Sequence, residues 1–422
     1  MRHILFLVFI LVVALTATAS VDRVIPPMFA RATPLTAHAA ALDSVIDRTG
    51  ARELARLPAI AFEVAEESGM LLDGAVRPLE RPVRIALPHG VGVPQVIGSI
   101  TVAGARAARL RFDDVPAGTV LWLAGSEDEQ FLRFEPSNSA RWGPTTTGSV
   151  VYIAAEEGTG ELEISELAQI AAVANAETSC LSDVACRSDE DFDHLADAIR
   201  AIGYVRFVRA GKSYVCTGGL LNDAANSGTP YFLTAEHCIG TNEEAASVEV
   251  VWDLRSEACG SNRMAKVSRS HGAELLVASP ATDVALLKLA SVPADRVFLG
   301  VDTRQLAPDT VVHRVSHAGG LSQTYSSGVV EQSGTSCSGA SRPQFVYTRP
   351  RSGGTSGGSS GAPLLLPGLY VAGQLFGKCG PDPENTCATW NRGVDGSLRE
   401  SWALLAPYLD PAGITVRRRS VR

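Results

Sequence analysis

Gly358-Ser359-Ser360-Gly361-Ala362-Pro363 is a serine set between glycines and followed by a small residue and a proline. Such a backbone holds one hydroxyl in the open. Flanking glycines reach dihedrals that other residues avoid and bring backbone N–H groups close to a bound molecule. Acyl transfer needs such donors in place before the oxyanion develops. On its own the run is ambiguous, because it ends the Gly/Ser-rich segment SGGTSGGSSGAP, and segments of that composition are commonly flexible loops.

Two upstream runs narrow the reading. Tyr231-Phe-Leu-Thr-Ala-Glu-His-Cys238 is a buried strand pattern that ends on a histidine beside a cysteine. Thr282-Asp-Val-Ala-Leu-Leu-Lys-Leu289 sets an aspartate at the start of a second apolar strand. The chain order is therefore His237, Asp283, Ser360. A serine hydroxyl is a weak nucleophile until a neighbouring base takes its proton, and an imidazole base needs a carboxylate to fix its tautomer. Taken singly, a core histidine, a turn aspartate and a loop serine explain the same residues. Taken together, in this order, with His237 and Asp283 beside apolar strand runs, they point to nucleophilic catalysis.

TAEHC, DVALLKL and GSSGAP match the TAxHC, DxxLLxL and GxSGxP motifs residue for residue, so the chain resembles the chymotrypsin-like serine endopeptidases. Within that group it is similar to the lysyl endopeptidase branch. The shared runs are Ser179-Cys-Leu-Ser-Asp-Val-Ala-Cys186, Cys216-Thr-Gly-Gly-Leu-Leu-Asn222 and the run 231–238, and the likeness extends over about 179–410. The resemblance implies an all-β catalytic part, two six-stranded antiparallel barrels with the site between them. It also implies roles: Ser360 as nucleophile, His237 as base and then acid, Asp283 as its orienting carboxylate, and the N–H groups of Gly358 and Ser360 as oxyanion hole. No metal or organic cofactor is expected. The branch implies disulfides Cys216–Cys238 and Cys186–Cys259. For Cys180, Cys337, Cys379 and Cys387 it ties Cys180 to the segment holding 379 and 387, and a local Cys379–Cys387 pair stays open.

The same resemblance suggests a substrate pocket. Trypsin-like members carry an aspartate six residues before the nucleophile, where this chain has Gly354. Gly393 stands where the lysine-specific branch has its acid, with Asp395 two residues on, and Phe376 and Gly377 lie where a pocket wall is expected. A lysine in an apolar slot loses hydration without compensation. Strict lysine specificity is therefore expected to be lost, with apolar or mixed side chains preferred. Activation by a new N-terminus needs an aspartate just before the nucleophile, and that position is Ser359. A salt-bridge trigger of that kind is not expected.

The wider chain fits an exported enzyme. Its 422 residues allow two or three domains, 45% hydrophobic content supplies cores, and a net charge of −8 argues against a nucleic-acid partner. Eight cysteines suit an oxidising compartment. Residues 1–19, MRHILFLVFILVVALTATA, have a basic start, an apolar run and a small-residue end, the pattern of a secretory signal peptide. The apolar run from Ile4 to Ala17 is short for a bilayer span, so no stable membrane association is expected. An extracellular or periplasmic location follows.

Residues 20–172 read as a β-rich, sandwich-like pro- or accessory domain, with a loose Ala/Pro-rich leader over about 20–40 and room for a short helix in 41–70. Its strand runs include VRIALP, ARLRF, TVLWLAG and SVVYIAAEE. Trp122 and Trp142 are expected in its core. Ala168–Ser179 reads as a linker, 173–412 as the protease domain with a helix near Ser401–Tyr408, and 413–422 as a basic tail. His313 and His317 have helical metal-ligand spacing, but their β-branched and glycine neighbours favour a strand entering a turn. The expected partners are protein or peptide substrates and the N-terminal prodomain. Two other classes fit parts of the chain: a catalytically inactive homologue that binds peptides, and a secreted adhesin whose working part is the N-terminal module.

Overall fold

The computed structural model describes residues 22–29, 46–89, 93–156, 158–171 and 179–413. The expected signal segment, residues 172–178 of the expected linker and the tail residues 414–422 lie outside them; residues 168–170, expected to open that linker, instead end the strand Glu161–Ile170 and are buried in its sheet.

Strands dominate, and most pair antiparallel. Val311–Ser316, Thr324–Glu331, Phe345–Ser352, Arg392–Ser397, Tyr370–Cys379 and Pro363–Leu366 pair each to the next and the last back to the first. That closes a six-stranded barrel with no free edge. The other barrel runs Glu249–Trp252, Ile202–Arg209, Lys212–Leu221, Tyr231–Ala235, Val284–Leu289 and Ala273–Ser279. Ser268–His271 pairs with Glu249–Trp252 and meets the last strand at Gly272, so the ladder curls onto itself.

One apolar cluster fastens the barrels together. Leu233 and Leu286 of the first barrel pack with Val315, Leu365 and Val371 of the second, all buried. The C-terminal helix Leu398–Leu409 adds Leu398, Trp402, Leu405 and Leu409, the stripe that a 3.6-residue period delivers to one face. Ser397 caps it by accepting from the Glu400 N–H at 3.5 Å. Each such side chain withdrawn from water is worth roughly 1.5–3 kcal/mol, so the groove between the barrels has rigid walls.

The N-terminal module is a two-layer β structure. One sheet orders Glu53–Leu57, Gln95–Val102, Val150–Ala155, Leu121–Gly125 and Leu132–Phe134. The other contains Ala107–Asp113, Glu161–Ile170 and the long strand Met70–Ala86. Leu110, Phe112, Leu123, Ile153 and Ile164 fill the space between them, and Trp122 and Trp142 are buried. This second sheet does not stop at the module. The start of Met70–Ala86 pairs with Lys212–Val215 of the first barrel, so one sheet runs through both.

Two expectations are corrected. The described part of the leader is not loose: Val24–Ile25 pairs with Val301–Asp302, Met28–Phe29 pairs with Val297–Phe298, and Asn222 Nδ2 donates to Pro26 O at 2.8 Å. Backbone pairing along barrel edges outweighs the Ala/Pro composition there. Residues 46–70 hold extended strands, Glu53–Leu57 and Ala65–Glu67, and no helix. The sheet partners available on each side override helix propensity.

Candidate active site

Three segment ends converge in the groove. Tyr231–Ala235 and Val284–Leu289 pair with Ala235 opposite Val284, which sets the residues just beyond, Glu236-His237 and Asp283, side by side. Cys238, next to His237, is bonded to Cys216 on the neighbouring strand. Asp283 adopts a positive φ of 54°, a conformation aspartate tolerates better than most residues. From there its carboxylate receives two bonds: His237 Nδ1 lies 2.9 Å from Oδ2, and the His237 backbone N–H donates to Oδ1 at 2.9 Å. The buried Gln374 amide donates to the Thr282 and Asp283 carbonyls, each at 2.9 Å, and fixes that turn. Nothing in the sequence reading pointed to Gln374.

Ser360 leads into the strand Pro363–Leu366 from a tightly held loop. Gly358 has φ 93°, and a Cβ there would lie 2.7 Å from the His317 carbonyl oxygen. The loop is further tied by Thr217, whose hydroxyl donates to Gly358 O at 2.7 Å and whose N–H donates to Ser360 O at 2.8 Å. Ser359 is buried, and its hydroxyl accepts from Ser316 Oγ at 3.2 Å. The position before Ser360 is therefore occupied by a hydroxyl pair with no charge to attract an ammonium group.

The groove is filled by the protein itself. Ala65–Glu67 and the start of Met70–Ala86 form a hairpin whose two turn residues, Ser68 and Gly69, have φ of 52° and 79°. Both values are positive, as a type I′ turn requires. Ser360 Oγ donates to the Gly69 carbonyl oxygen at 2.9 Å, and the Gly358 N–H donates to the same oxygen at 3.3 Å. A Cβ on Gly69 would sit 2.9 Å from Ser360 Oγ and 3.4 Å from His237 Nε2. His237 Nε2 is buried without a hydrogen-bond partner among the described residues. Two glutamates pin the hairpin. Glu66 accepts from the Gly357 N–H at 2.7 Å. Glu67 accepts from Lys212 Nζ at 2.8 Å and from Tyr214 OH at 2.6 Å, bonds that hold its carboxyl below the ordinary glutamate range. The sequence carried one sign of this turn, the Ser-Gly dipeptide between strand-like runs. Its place against Ser360, 291 residues away, had no local signature.

The remaining site residues fall as follows. Phe376 stands edge-on to His237, ring centroids 5.9 Å apart, and Gly377 beside it faces open space. Gly354 and Gly393 line one cavity in the second barrel. Asp395 does not line it: it is fully buried and bound to the Arg314 guanidinium. The cysteines pair as Cys186–Cys259, Cys216–Cys238, Cys180–Cys387 and Cys337–Cys379. Cys216, His237 and Cys238 lie close enough to suggest a metal site, but both sulfurs are spent in the disulfide. His313 and His317 do not converge on a common point: the first bonds Tyr325 OH through Nδ1 at 2.7 Å and the second Leu321 O through Nδ1 at 2.9 Å.

Comparison with known proteins gives a family match. Residues 174–388 match the model of the lysyl endopeptidase C-terminal domain. A lysyl endopeptidase of Pseudomonas aeruginosa is 27% identical over 316 residues, 66% of this chain and 67% of the relative. Among solved structures, the HtrA-type protease AlgW with a tripeptide aligns at 16% identity and a TM-score of 0.38, over 51% of this chain and 62% of that one. A serine endoprotease from Yersinia pestis aligns at 18% identity and a TM-score of 0.36, over 52% of this chain and 66% of that one. Those scores are too low to carry a fold, which rests on the strand pairing given above.

Proposed function

The chain belongs to the lysyl endopeptidase C-terminal domain family and is a serine-type endopeptidase, and from that premise we propose that it is a latent precursor. It cleaves proteins or peptides through Ser360, His237 and Asp283 once its own N-terminal hairpin leaves the groove. The observation that carries this reading is one oxygen atom: the Gly69 carbonyl receives the Ser360 hydroxyl and the Gly358 N–H together. A substrate carbonyl needs that combination of nucleophile and oxyanion donor.

With the hairpin gone, His237 Nε2 is free to accept the Ser360 proton as Oγ attacks the scissile carbonyl carbon. Asp283 keeps the imidazole in the tautomer with Nδ1 protonated and stabilises the imidazolium. The carbonyl oxygen becomes an oxyanion facing the N–H groups of Gly358 and Ser360, each worth about 10²–10³ in rate for a donor of this kind. His237 then returns its proton to the leaving amine. Water, activated by the same imidazole, releases the acyl group from Ser360.

The hairpin resembles a substrate only on one side. Leu71 and Leu72 pair with Val215 and Tyr214 as an extended peptide would, whereas the chain before Gly69 turns back on itself. A substrate that cannot extend on both sides of its carbonyl is a poor one. Residues 20–172 act in this proposal as a prodomain covering the groove, and 173–412 as the protease domain. Export to an extracellular or periplasmic space is part of the proposal, supported by four disulfides and the signal-like start.

A fluorophosphonate probe tests the reading. It should label Ser360 weakly in the intact chain and strongly after limited digestion of the N-terminal module, with Ser360→Ala unlabelled in both. Absence of labelling in the digested protein, with no peptidase activity, would leave the inactive-homologue reading standing.

A further inference from the structure

The cavity that holds Gly354 and Gly393 has an unexpected charge. Among the described residues, four basic side chains line it, Arg314, Lys378, Arg392 and His313, and no carboxylate does. Gly354 places it six residues before Ser360 on the same loop, and a Cβ on Gly354 would touch Thr386 O at 2.9 Å. The lining and the nucleophile thus share one loop, with Gly353, Gly354 and Thr355 in the cavity wall. We propose, resting on the peptidase reading above, that the pocket selects an acidic side chain, glutamate or aspartate, on the residue whose carbonyl is attacked.

The bookkeeping of charge favours an anion. Arg314 is neutralised by Asp395, which lies buried behind it, and the Arg314 Nε–H has no acceptor among the described residues. Arg392 is paired with Glu331. His313 is held neutral by burial, which lowers its pKa to about 4, with the nearby Arg351 adding to the shift. Lys378 is left. It forms no side-chain ion pair within 4.0 Å among the described residues, and burial lowers its pKa against the pull of Glu66, Glu384 and Asp382. A carboxylate in the pocket would compensate Lys378 and offer oxygens to the Arg314 fork, which suits planar acceptors. A lysine ammonium would meet Arg314, Lys378 and Arg392 with the one buried acid already taken. An apolar side chain would leave a half-buried Lys378 to the pull of Glu384 and Asp382 alone once Glu66 leaves with the hairpin.

The hairpin gives an independent sign. Its Glu66 carboxylate bonds the Gly357 N–H at 2.7 Å, and it is the largest of the charges that favour protonated Lys378. The protein's own plug already brings a carboxylate close enough to act on Lys378.

The test uses the full-length chain with Gly69→Val, whose new side chain cannot share the groove with Ser360, and in parallel the intact chain activated by limited digestion. Peptides differing only in the residue before the cut, Glu, Asp, Leu or Lys, are compared by kcat/KM. Glutamate or aspartate should exceed lysine by at least 100-fold. Lys378→Met should shrink the Glu-over-Leu ratio about tenfold, and Arg314→Leu with Asp395→Leu, which removes the pair without stranding a buried charge, should shrink it further. Preference for lysine, or an apolar preference untouched by Lys378→Met, overturns the pocket proposal while leaving the triad intact. Absence of both cleavage and fluorophosphonate labelling in the two opened forms overturns the triad reading and this proposal with it.

Discussion

Ser360 and Gly69 are joined by a 2.9 Å hydrogen bond in which the hydroxyl donates to the carbonyl oxygen, while His237 Nε2 beside them has no partner among the described residues. The serine is thus bonded to a mock substrate instead of its base. The acid–base pair His237–Asp283 is fully assembled at the same time. On the proposed reading, latency would come from occupancy of a formed site, in contrast to a site that must be rebuilt on activation.

Opening the turn should therefore be enough to raise activity. Gly69→Val introduces a Cβ that would stand 2.9 Å from Ser360 Oγ, at a φ of 79° that β-branched residues avoid. The full-length variant should hydrolyse a fluorogenic peptide at least 100-fold faster than the natural chain. Unchanged hydrolysis with normal folding by circular dichroism would show that the hairpin does not limit access.

The catalytic residues should behave as a unit. In an opened form, alanine at Ser360 or His237 should lower kcat by several powers of ten, Asp283→Asn by somewhat less, and the triple variant little beyond the worst single one. Steady-state kinetics on one peptide decides it. Near-normal turnover in Ser360→Ala would remove Ser360 from the chemistry.

Acid should loosen the loop that carries the oxyanion donors. His317 is fully buried, lies edge-on to Tyr204 at 5.3 Å and is held to a pKa of about 4 by burial. The unfolded chain takes up this proton near pH 6.5 and the folded chain only near 4. Its contribution to stability is thus complete above 6.5 and is lost as pH falls toward 4, a few kcal/mol at most. His317 O abuts Gly358, so the same acidification strains the nucleophile loop. Thermal unfolding between pH 7 and 4 should show a falling midpoint that is flatter in His317→Asn.

The buried ionic network between the module and the first barrel should be costly to break. Arg206 donates to Asp73 at 2.8 Å and to Thr145 Oγ1 at 2.9 Å, and Glu249 accepts from the Thr145 N–H at 2.9 Å. Arg109 reaches across to Ser247 O at 3.0 Å. Arg206→Met strands the Asp73 carboxylate and should destabilise the chain by about 3–5 kcal/mol, with Arg206→Met/Asp73→Leu recovering much of it. Denaturant unfolding measures both. By the same logic, residues 176–422 should refold poorly alone and better with residues 20–171 supplied in trans.

The proposed catalytic residues were readable because His237 and Asp283 lie just beyond the ends of apolar strands and Ser360 in a glycine-flanked loop, each inside a short run of fixed composition. The order His237, Asp283, Ser360 needed only local patterns. The Gly69 contact is different in kind: a backbone carbonyl carries no sequence signature, and its partner lies 291 residues away. Arg314 was missed for a related reason. A lone arginine between His313 and Val315 reads as a solvated strand residue, and only the barrel's closure turns it inward toward Asp395. The leader strands at 24–29 were hidden by composition, since pairing partners at 297–302 cannot be seen from the leader itself.

Those leader strands have a consequence for how the proposed precursor would come apart. Besides the buried ionic network, the N-terminal region grips the rest of the chain at three separate places: the leader at 297–302, the long strand along 212–215, and the hairpin in the groove. A cut anywhere between the barrels and the module severs one covalent link and none of these footholds. Each foothold that slips is held near its seat by the other two, at an effective concentration far above that of free fragments. Cleavage and release are then separate events, with a nicked but still silent complex between them. Its lifetime, set by how fast the tethered fragment is digested, acts as the timer for activity.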